Sequence, residues 1–198
     1  MSNNLSAPNG PGRPKDPAKR RAILDAAKTL FLSHGYANTS MDAVAAEAGV
    51  SKLTVYSHFN DKETLFSSAV MAKCEEQLPP LFFELPGGTP VENVLLNIAR
   101  GFHQLINSDE SVNLHRLMMA LGTQDPKLSQ IFFEAGPERM VQGMERLLKR
   151  IDETGALSID LPRNAAEHFF CLIKGAGNFR LLYCCGEPLS EEASESHV

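Results

Sequence analysis

The sequence lacks the patterns that mark several classes of protein. No apolar stretch approaches the roughly 20 residues that span a bilayer, and the polar N-terminus has no apolar segment of a secretory signal. There is no nucleophile elbow, no pair of metal ligands at helical spacing and no cofactor-binding glycine motif. These absences predict a cytoplasmic protein that is not an enzyme, holds no metal or cofactor and does not enter a membrane.

The four cysteines also form no motif. Cys74, Cys171, Cys184 and Cys185 include no CxxC pair and no Cys/His spacing typical of zinc. In a reducing cytosol they are expected to be thiols that pack as small hydrophobic residues. The adjacent pair Cys184 and Cys185 leaves a redox switch open as an alternative, although no neighbouring residue in the sequence would activate a thiolate.

Alternating apolar and polar residues, typical of strands, are missing as well, whereas apolar residues recur at helical spacing throughout. The sequence therefore predicts an all-α protein of about nine helices. We expect a flexible basic arm over 1–15, a helix-turn-helix domain over 16–62 and a helical effector-binding and dimerisation domain over 63–187. An acidic tail over 188–198 is expected to be disordered.

Charge is distributed unevenly along the chain, whose net charge is −5. Residues 1–62 carry eight Lys/Arg and five Asp/Glu, whereas the remaining residues carry eleven and nineteen. A net charge of +3 at one end and −8 at the other suits a protein whose two ends meet different partners. It also counts against a helical carrier that binds no nucleic acid.

Two short helices joined by a glycine turn are predicted at 40–48 and 51–58, with the turn at Gly49. The outer face of the second helix has hydrogen-bond donors and no carboxylate, which would repel phosphate; its residues are Ser51, Lys52, Thr54, Tyr56, Ser57 and His58. Lys62 opens the next helix, where its charge opposes the helix dipole unless a phosphate lies nearby. The pattern alone leaves open that these helices are only a folded cap.

Residues 39–66 resemble the DNA-binding signature of the TetR family, and the resemblance extends over about 17–70. It implies that Thr39, Tyr56, His58 and Lys62 hold phosphates, while Lys52, Leu53 and Thr54 face base edges. Leu53 stands where the family often has glycine or a small or polar residue. It would either touch a thymine methyl group or shield the backbone.

The C-terminal half resembles the AefR-like subgroup of that family at 114–119, 132–139, 165–169 and 174–175. The subgroup resemblance implies a regulator of efflux, stress or signalling genes. The TetR-family resemblance implies an Ω-shaped homodimer, whose twofold symmetry predicts a palindromic operator in double-stranded DNA. It also implies a small-molecule effector, with repression as the family default and activation left open.

The effector site is expected among apolar helices that carry scattered polar groups. Its candidate residues are Phe102, His103, His115, Arg116, Met119, Phe133, Phe170 and Asn178. Residues at such spacing are also typical of an ordinary core, and the polar ones of a surface or an interface. The sharper hypothesis is that Arg116 or a histidine anchors a polar or anionic group of the effector.

The last two long helices are predicted to form a four-helix dimer interface across a twofold axis. Gly175 and Gly177 weaken the last of them, by about 1 kcal/mol each relative to alanine. They would be explained if another backbone packed there. A phosphate loop at 175–177 is a weaker alternative, because no strand precedes it.

Overall fold

The computed structural model describes residues 16–198, apart from the side chain of Gln77. This part of the chain folds into ten α-helices and one 3₁₀ turn (Pro80–Phe83), without a strand. The α-helices are α1 Pro17–Asn38, α2 Met41–Glu47, α3 Lys52–His58, α4 Lys62–Gln77, α5 Val91–Asn107, α6 Asp109–Leu121, α7 Pro126–Ala135, α8 Pro137–Glu153, α9 Pro162–Leu182 and α10 Glu191–His197. The all-α prediction is confirmed, and the predicted arm over 1–15 lies outside the described residues.

Local capping explains where the first helices begin. The Asp16 carboxylate accepts from the Ala18 N–H at 2.9 Å, and Pro17 follows in the first helical turn. Ser40 and Asp61 accept from backbone N–H groups three residues later at 3.1 and 2.6 Å. Gly35 breaks α1 near its end with φ +78° and ψ 165°.

Two clusters of buried residues organise the molecule. One joins α1–α3 to the first half of α4, and we call this unit the head; the other lies among α5, α8 and α9 in what we call the body. Helix α4 joins the two units, because its Leu65 and Phe66 are buried in the head, its Cys74 packs against both clusters, and its C-cap Leu78 is buried in the body. Met118, Leu128 and Ala135 from α6 and α7 also pack on the head cluster.

The expectation of a disordered tail over 188–198 was wrong. Ser190 caps α10, and the helix packs on the body through an ion pair between Glu195 and Arg100. The His197 Nε2 lies 2.9 Å from the carbonyl oxygen of Ile173. The acidic composition suggested a solvated tail. Instead, the Arg100 guanidinium and the Ile173 carbonyl, both distant in sequence, hold this segment in place.

That carbonyl is available because α9 is interrupted at Gly175, which has φ +55° and ψ −175°. A Cβ atom built on Gly175 would lie 2.6 Å from the His197 ring. At Gly177 it would lie 3.8 Å from Leu189. Within this chain, side chains of the C-terminal segment rather than another backbone therefore occupy the space that these glycines leave.

Candidate nucleic-acid interface and internal cavity

The two helices of the predicted helix-turn-helix are joined by a turn in which Gly49 has φ +64°. This left-handed conformation favours glycine. Val44 and Ala45 of α2 and Val55 of α3 are buried against α1 and α4. Ser51 caps α3 by accepting from the Thr54 N–H at 3.2 Å. One face of α3 is thus fixed to the head, and the opposite face is open.

The open face of α3 combines an apolar side chain with short polar ones. Leu53 is 80% exposed and Tyr56 is 41% exposed. The hydroxyls of Ser51 and Thr54 lie 2.8 Å apart, and the Ser57 hydroxyl donates to the Thr54 carbonyl at 2.7 Å. The open face therefore presents hydroxyl groups and one exposed leucine to a partner.

Lys52 and Lys62 supply the cations beside this face, and both have partners within the chain. The Lys52 ammonium pairs with Asp42 of α2 at 2.8 Å, with both side chains exposed. Lys62 donates to the Tyr36 carbonyl at 2.9 Å and lies 4.3 Å from the centre of the Tyr36 ring. The Lys62 ammonium therefore stabilises the carbonyl end of α1. The sequence did not predict this structural role.

The structure does not bring Thr39 to the open face. Thr39 is only 2% exposed, and its hydroxyl is shared between the carbonyls of Leu30 at 3.1 Å and Gly35 at 2.8 Å. It closes the break in α1 instead of pointing outward. His58 is half-buried, with its ring 6.3 Å from that of Phe59.

A partly open cavity of about 410 Å³, which we call the main cavity, lies between α4 and the helices α5 to α9. Its volume is in the range of small-molecule sites. Four of the predicted effector residues line it, namely Phe102, His115, Phe133 and Phe170. Most of the remaining wall is also apolar and includes Val70, Leu105, Ile106, Leu114, Phe132, Met140 and Val141.

His103 and Asn178 lie elsewhere, around a second cavity of about 350 Å³ beneath α10. Asn178 is buried and donates to the carbonyl oxygen of Ile106 at 3.0 Å, so it ties α9 to α5. The His103 ring lies 5.5 Å from the His197 ring. Burial, and then the proximity of His197, lowers the pKa of His103.

The prediction that Arg116 anchors an effector is not supported by its position. Its guanidinium donates to the carbonyl oxygens of Leu181 and Leu182 and to the Asn113 side chain, so it caps the end of α9. Met119 is 57% exposed and lines neither cavity. Both residues lie on α6 with His115, but on a side that does not face the main cavity.

His115 is the predicted polar residue that does reach the main cavity. Its Nδ1 lies 2.7 Å from the Ser111 carbonyl, which can only accept, so Nδ1 carries the proton. Burial lowers the pKa of His115, the Ser111 hydrogen bond opposes this effect, and the nearby Lys174 charge adds to it. A neutral ring with Nε2 as its acceptor is therefore favoured.

Sequence reasoning missed the charged residues of this wall, which are Lys73, Arg163, Glu167 and Lys174. Lys174 follows Phe170 by four residues on α9, so helical spacing from an aromatic candidate is the signal that could have found it. Cys74 lines the same cavity, and burial raises the pKa of its thiol to about 11. That thiol is therefore protonated and unreactive at neutral pH.

No group of three or more His, Cys, Asp or Glu side chains is arranged to hold a metal ion within residues 16–198. Over the same residues, no helix combines the length and apolar character needed to cross a membrane.

Comparisons with known proteins agree with this architecture. Residues 23–69 match the family model described as bacterial regulatory proteins, tetR family. Residues 93–198 match the model described as AefR-like transcriptional repressor, C-terminal domain. The HTH-type transcriptional regulator YdeS of Bacillus subtilis (strain 168), itself uncharacterized, is 28% identical over 94% of this chain and 87% of its own length.

Solved structures give the same result. A TetR-family transcriptional regulator from Mesorhizobium loti MAFF303099 has a TM-score of 0.71 and 29% identity, covering 92% of this chain and 93% of its own. The flavonoid-responsive regulator FrrA has a TM-score of 0.69 and 31% identity, covering 92% of each chain. Because both halves match the family models and the whole fold matches these structures, the chain belongs to the TetR family of DNA-binding transcriptional regulators.

Proposed function

We propose that this chain is a cytoplasmic, homodimeric repressor that binds a palindromic operator through α3 and leaves it when a small molecule binds. The observation that carries the proposal is the open face of α3, where Leu53 is exposed among the hydroxyls of Ser51, Thr54 and Tyr56. Side chains of this kind contact phosphates, base edges and the thymine methyl group in the major groove. Two such helices must lie about 34–36 Å apart to enter successive grooves.

Dimerisation is supported by apolar side chains that are exposed on α9 and at its C-cap, Tyr183. Leu172, Phe179 and Tyr183 are 76%, 55% and 74% exposed. Large apolar residues clustered on one helix mark a protein–protein interface, and a second copy of α8 and α9 would bury them in a four-helix bundle. The twofold symmetry of such a dimer is the reason to expect a palindromic operator.

Helix α4 supports the link between effector and DNA. It contributes Leu65 and Phe66 to the head core, while Val70 and Cys74 of the same helix line the main cavity. A Cβ atom on Gly136, between α7 and α8, would lie 3.1 Å from Val70 and 3.4 Å from Cys74. With the junction packed this closely on α4, a ligand in the cavity would shift α4 and with it the two heads.

Two of the similar proteins add support. The C-terminal family model is described as a transcriptional repressor, and FrrA is described as responsive to flavonoids. A ligand that prefers the dimer with shifted heads lowers DNA affinity by the ratio of its affinities for the two forms.

The test is footprinting of the purified protein on DNA that flanks its own gene, over a salt series. A protected palindrome whose affinity falls steeply with salt is expected, because phosphate contacts release counterions. Light scattering of the same sample should give the mass of a dimer, and Leu172→Asp/Phe179→Asp should give a monomer that no longer protects the site. If neither flanking DNA nor binding selection from random DNA yields a protected site, the proposed function is wrong.

A further inference from the structure

The cations that line the main cavity differ in whether a carboxylate neutralises them. Lys73 pairs with Glu110, and Arg163 pairs with Glu138 at 2.7 Å and Glu167 at 2.8 Å. Lys174 has no carboxylate within 4.0 Å among residues 16–198. The described part of the chain therefore leaves one cation at this wall without an ionic partner.

Lys174 is placed where a ligand in the cavity would meet it. It is half-buried on α9, directly before the break at Gly175, and it lines the main cavity together with His115 as well as the second cavity beneath α10. The Glu167 carboxylate on the same wall pairs with Arg163 at 2.8 Å and makes no ion pair with Lys174 within 4.0 Å. Around this cation the wall is made largely of aromatic and aliphatic side chains, including Phe102, Phe132 and Phe170.

We propose that the effector is an amphipathic anion, with an apolar body against the aromatic wall and one carboxylate or comparable group paired with Lys174. This inference rests on the proposed function, in which the main cavity is the effector site. A neutral ligand would remove water from Lys174 without replacing its hydrogen bonds, and a cationic ligand would be repelled. An anion restores those bonds in charge-assisted form.

His115 is compatible with an anionic effector, although its neutral ring supplies no charge. Its Nδ1–H is already directed to the Ser111 carbonyl, and its pKa is lowered by burial and then by Lys174. A ligand anion near Lys174 would offset that positive charge. Binding of an anion should therefore raise the pKa of His115 and be accompanied by proton uptake, which a neutral ligand would not cause.

The experiment uses isothermal titration calorimetry on the full chain with two pairs of probes. Octanoate is compared with 1-octanol, and naphthalene-2-carboxylate with naphthalene-2-methanol, so that chain-like and aromatic anions are tested separately. Each carboxylate should bind roughly tenfold or more tightly than its alcohol, which is the range of one charge-assisted hydrogen bond. Titration in two buffers of different ionisation enthalpy measures the proton uptake.

Substitutions at Lys174 test whether this residue is the source of the preference. Lys174→Met keeps an unbranched apolar side chain and should remove the preference for the carboxylate, whereas Lys174→Arg should retain it. Lys149→Met is the matched control, because Lys149 lies on the exposed side of α8 and pairs with Glu145. Thermal unfolding of each variant checks that the fold is intact.

The outcomes separate this inference from the proposed function. Equal affinity for alcohols and carboxylates, retention of the preference in Lys174→Met, or no carboxylate binding at millimolar concentration would overturn the anionic assignment. If the alcohols bind and release the operator, the proposed function stands and only the anion is wrong. If no operator is bound at all, the proposed function fails whatever the probes do.

Discussion

The head and the body are filled to different degrees. In the head, the rings of Phe31, Tyr36 and Phe66 contact one another with centres 5.3 to 5.6 Å apart. In the body, aromatic side chains surround a cavity of about 410 Å³. A closely packed head holds α3 in one orientation, whereas an incompletely filled body has room for a ligand. The difference in packing therefore agrees with the proposed roles of a DNA-binding head and a ligand-binding body.

Truncation of an aromatic ring should have its largest effect in the head. Phe66→Ala should lower the free energy of unfolding by about 3–5 kcal/mol, because Phe66 is 1% exposed and its loss leaves a void. Phe133→Ala in the cavity wall should change it by no more than about 0.5 kcal/mol, because Phe133 is 52% exposed. Urea unfolding measures both. Similar losses in the two variants would contradict the contrast in packing.

Thr39→Val tests whether Thr39 belongs to the packing of the head or to the DNA interface. The variant keeps the shape but leaves the carbonyls of Leu30 and Gly35 without their shared donor, so we expect a loss of about 1–3 kcal/mol in urea unfolding. The salt dependence of DNA binding should not change. An unchanged stability with a shallower salt dependence would restore Thr39 as a phosphate contact.

Much of the head could be predicted from sequence, because its signals are local. Asp16, Ser40, Ser51 and Asp61 cap helices through N–H groups two or three residues away. Thr39 was misplaced because its hydroxyl bonds to Leu30, nine residues earlier, across the break in α1. A short polar residue before a helix has the same sequence pattern whether it faces water or closes a buried gap.

Exposed residues of the head should affect DNA binding without affecting stability. Lys52→Gln should weaken operator binding and relax its preference at the base pair that Lys52 faces, and it should reduce the salt slope by less than about 1, because a base contact rather than a phosphate contact is lost. Leu53→Ala should leave the slope unchanged and weaken binding only to sites with thymine at the contacted position. Fluorescence anisotropy over a salt series measures both, with Lys149→Gln in the body as the control. A change in slope for the control would show that the effect comes from net charge.

The smallest expected effect is the pH dependence of the body. The pKa of His115 is lowered in the folded state, so the unfolded state binds the proton more tightly. Stability contributed by the neutral ring is present above the unfolded pKa of about 6.5 and is lost as the pH falls below it. Urea unfolding at pH 7.5 and 5.5 should show a smaller loss for His115→Asn than for wild type. The exposed His168→Gln is the control, and an equal change there would remove His115 as the cause.

The sequence by itself determined the helices, the glycine turn before α3, the surface composition of that helix and the membership of the TetR family. These properties depend on residue spacing and on contacts between near neighbours, so a linear pattern contains them.

Only the tertiary structure decided the roles of the polar residues in the body. Arg116 meets the carbonyl of Leu181, 65 residues later in the chain, and His197 meets that of Ile173. Lys174 has no carboxylate within 4.0 Å among residues 16–198, whereas Glu167 on the same helix pairs with Arg163. A charged side chain pairs with whichever group the packing of the helices brings near. That partner cannot be predicted from the residues next to it in the sequence.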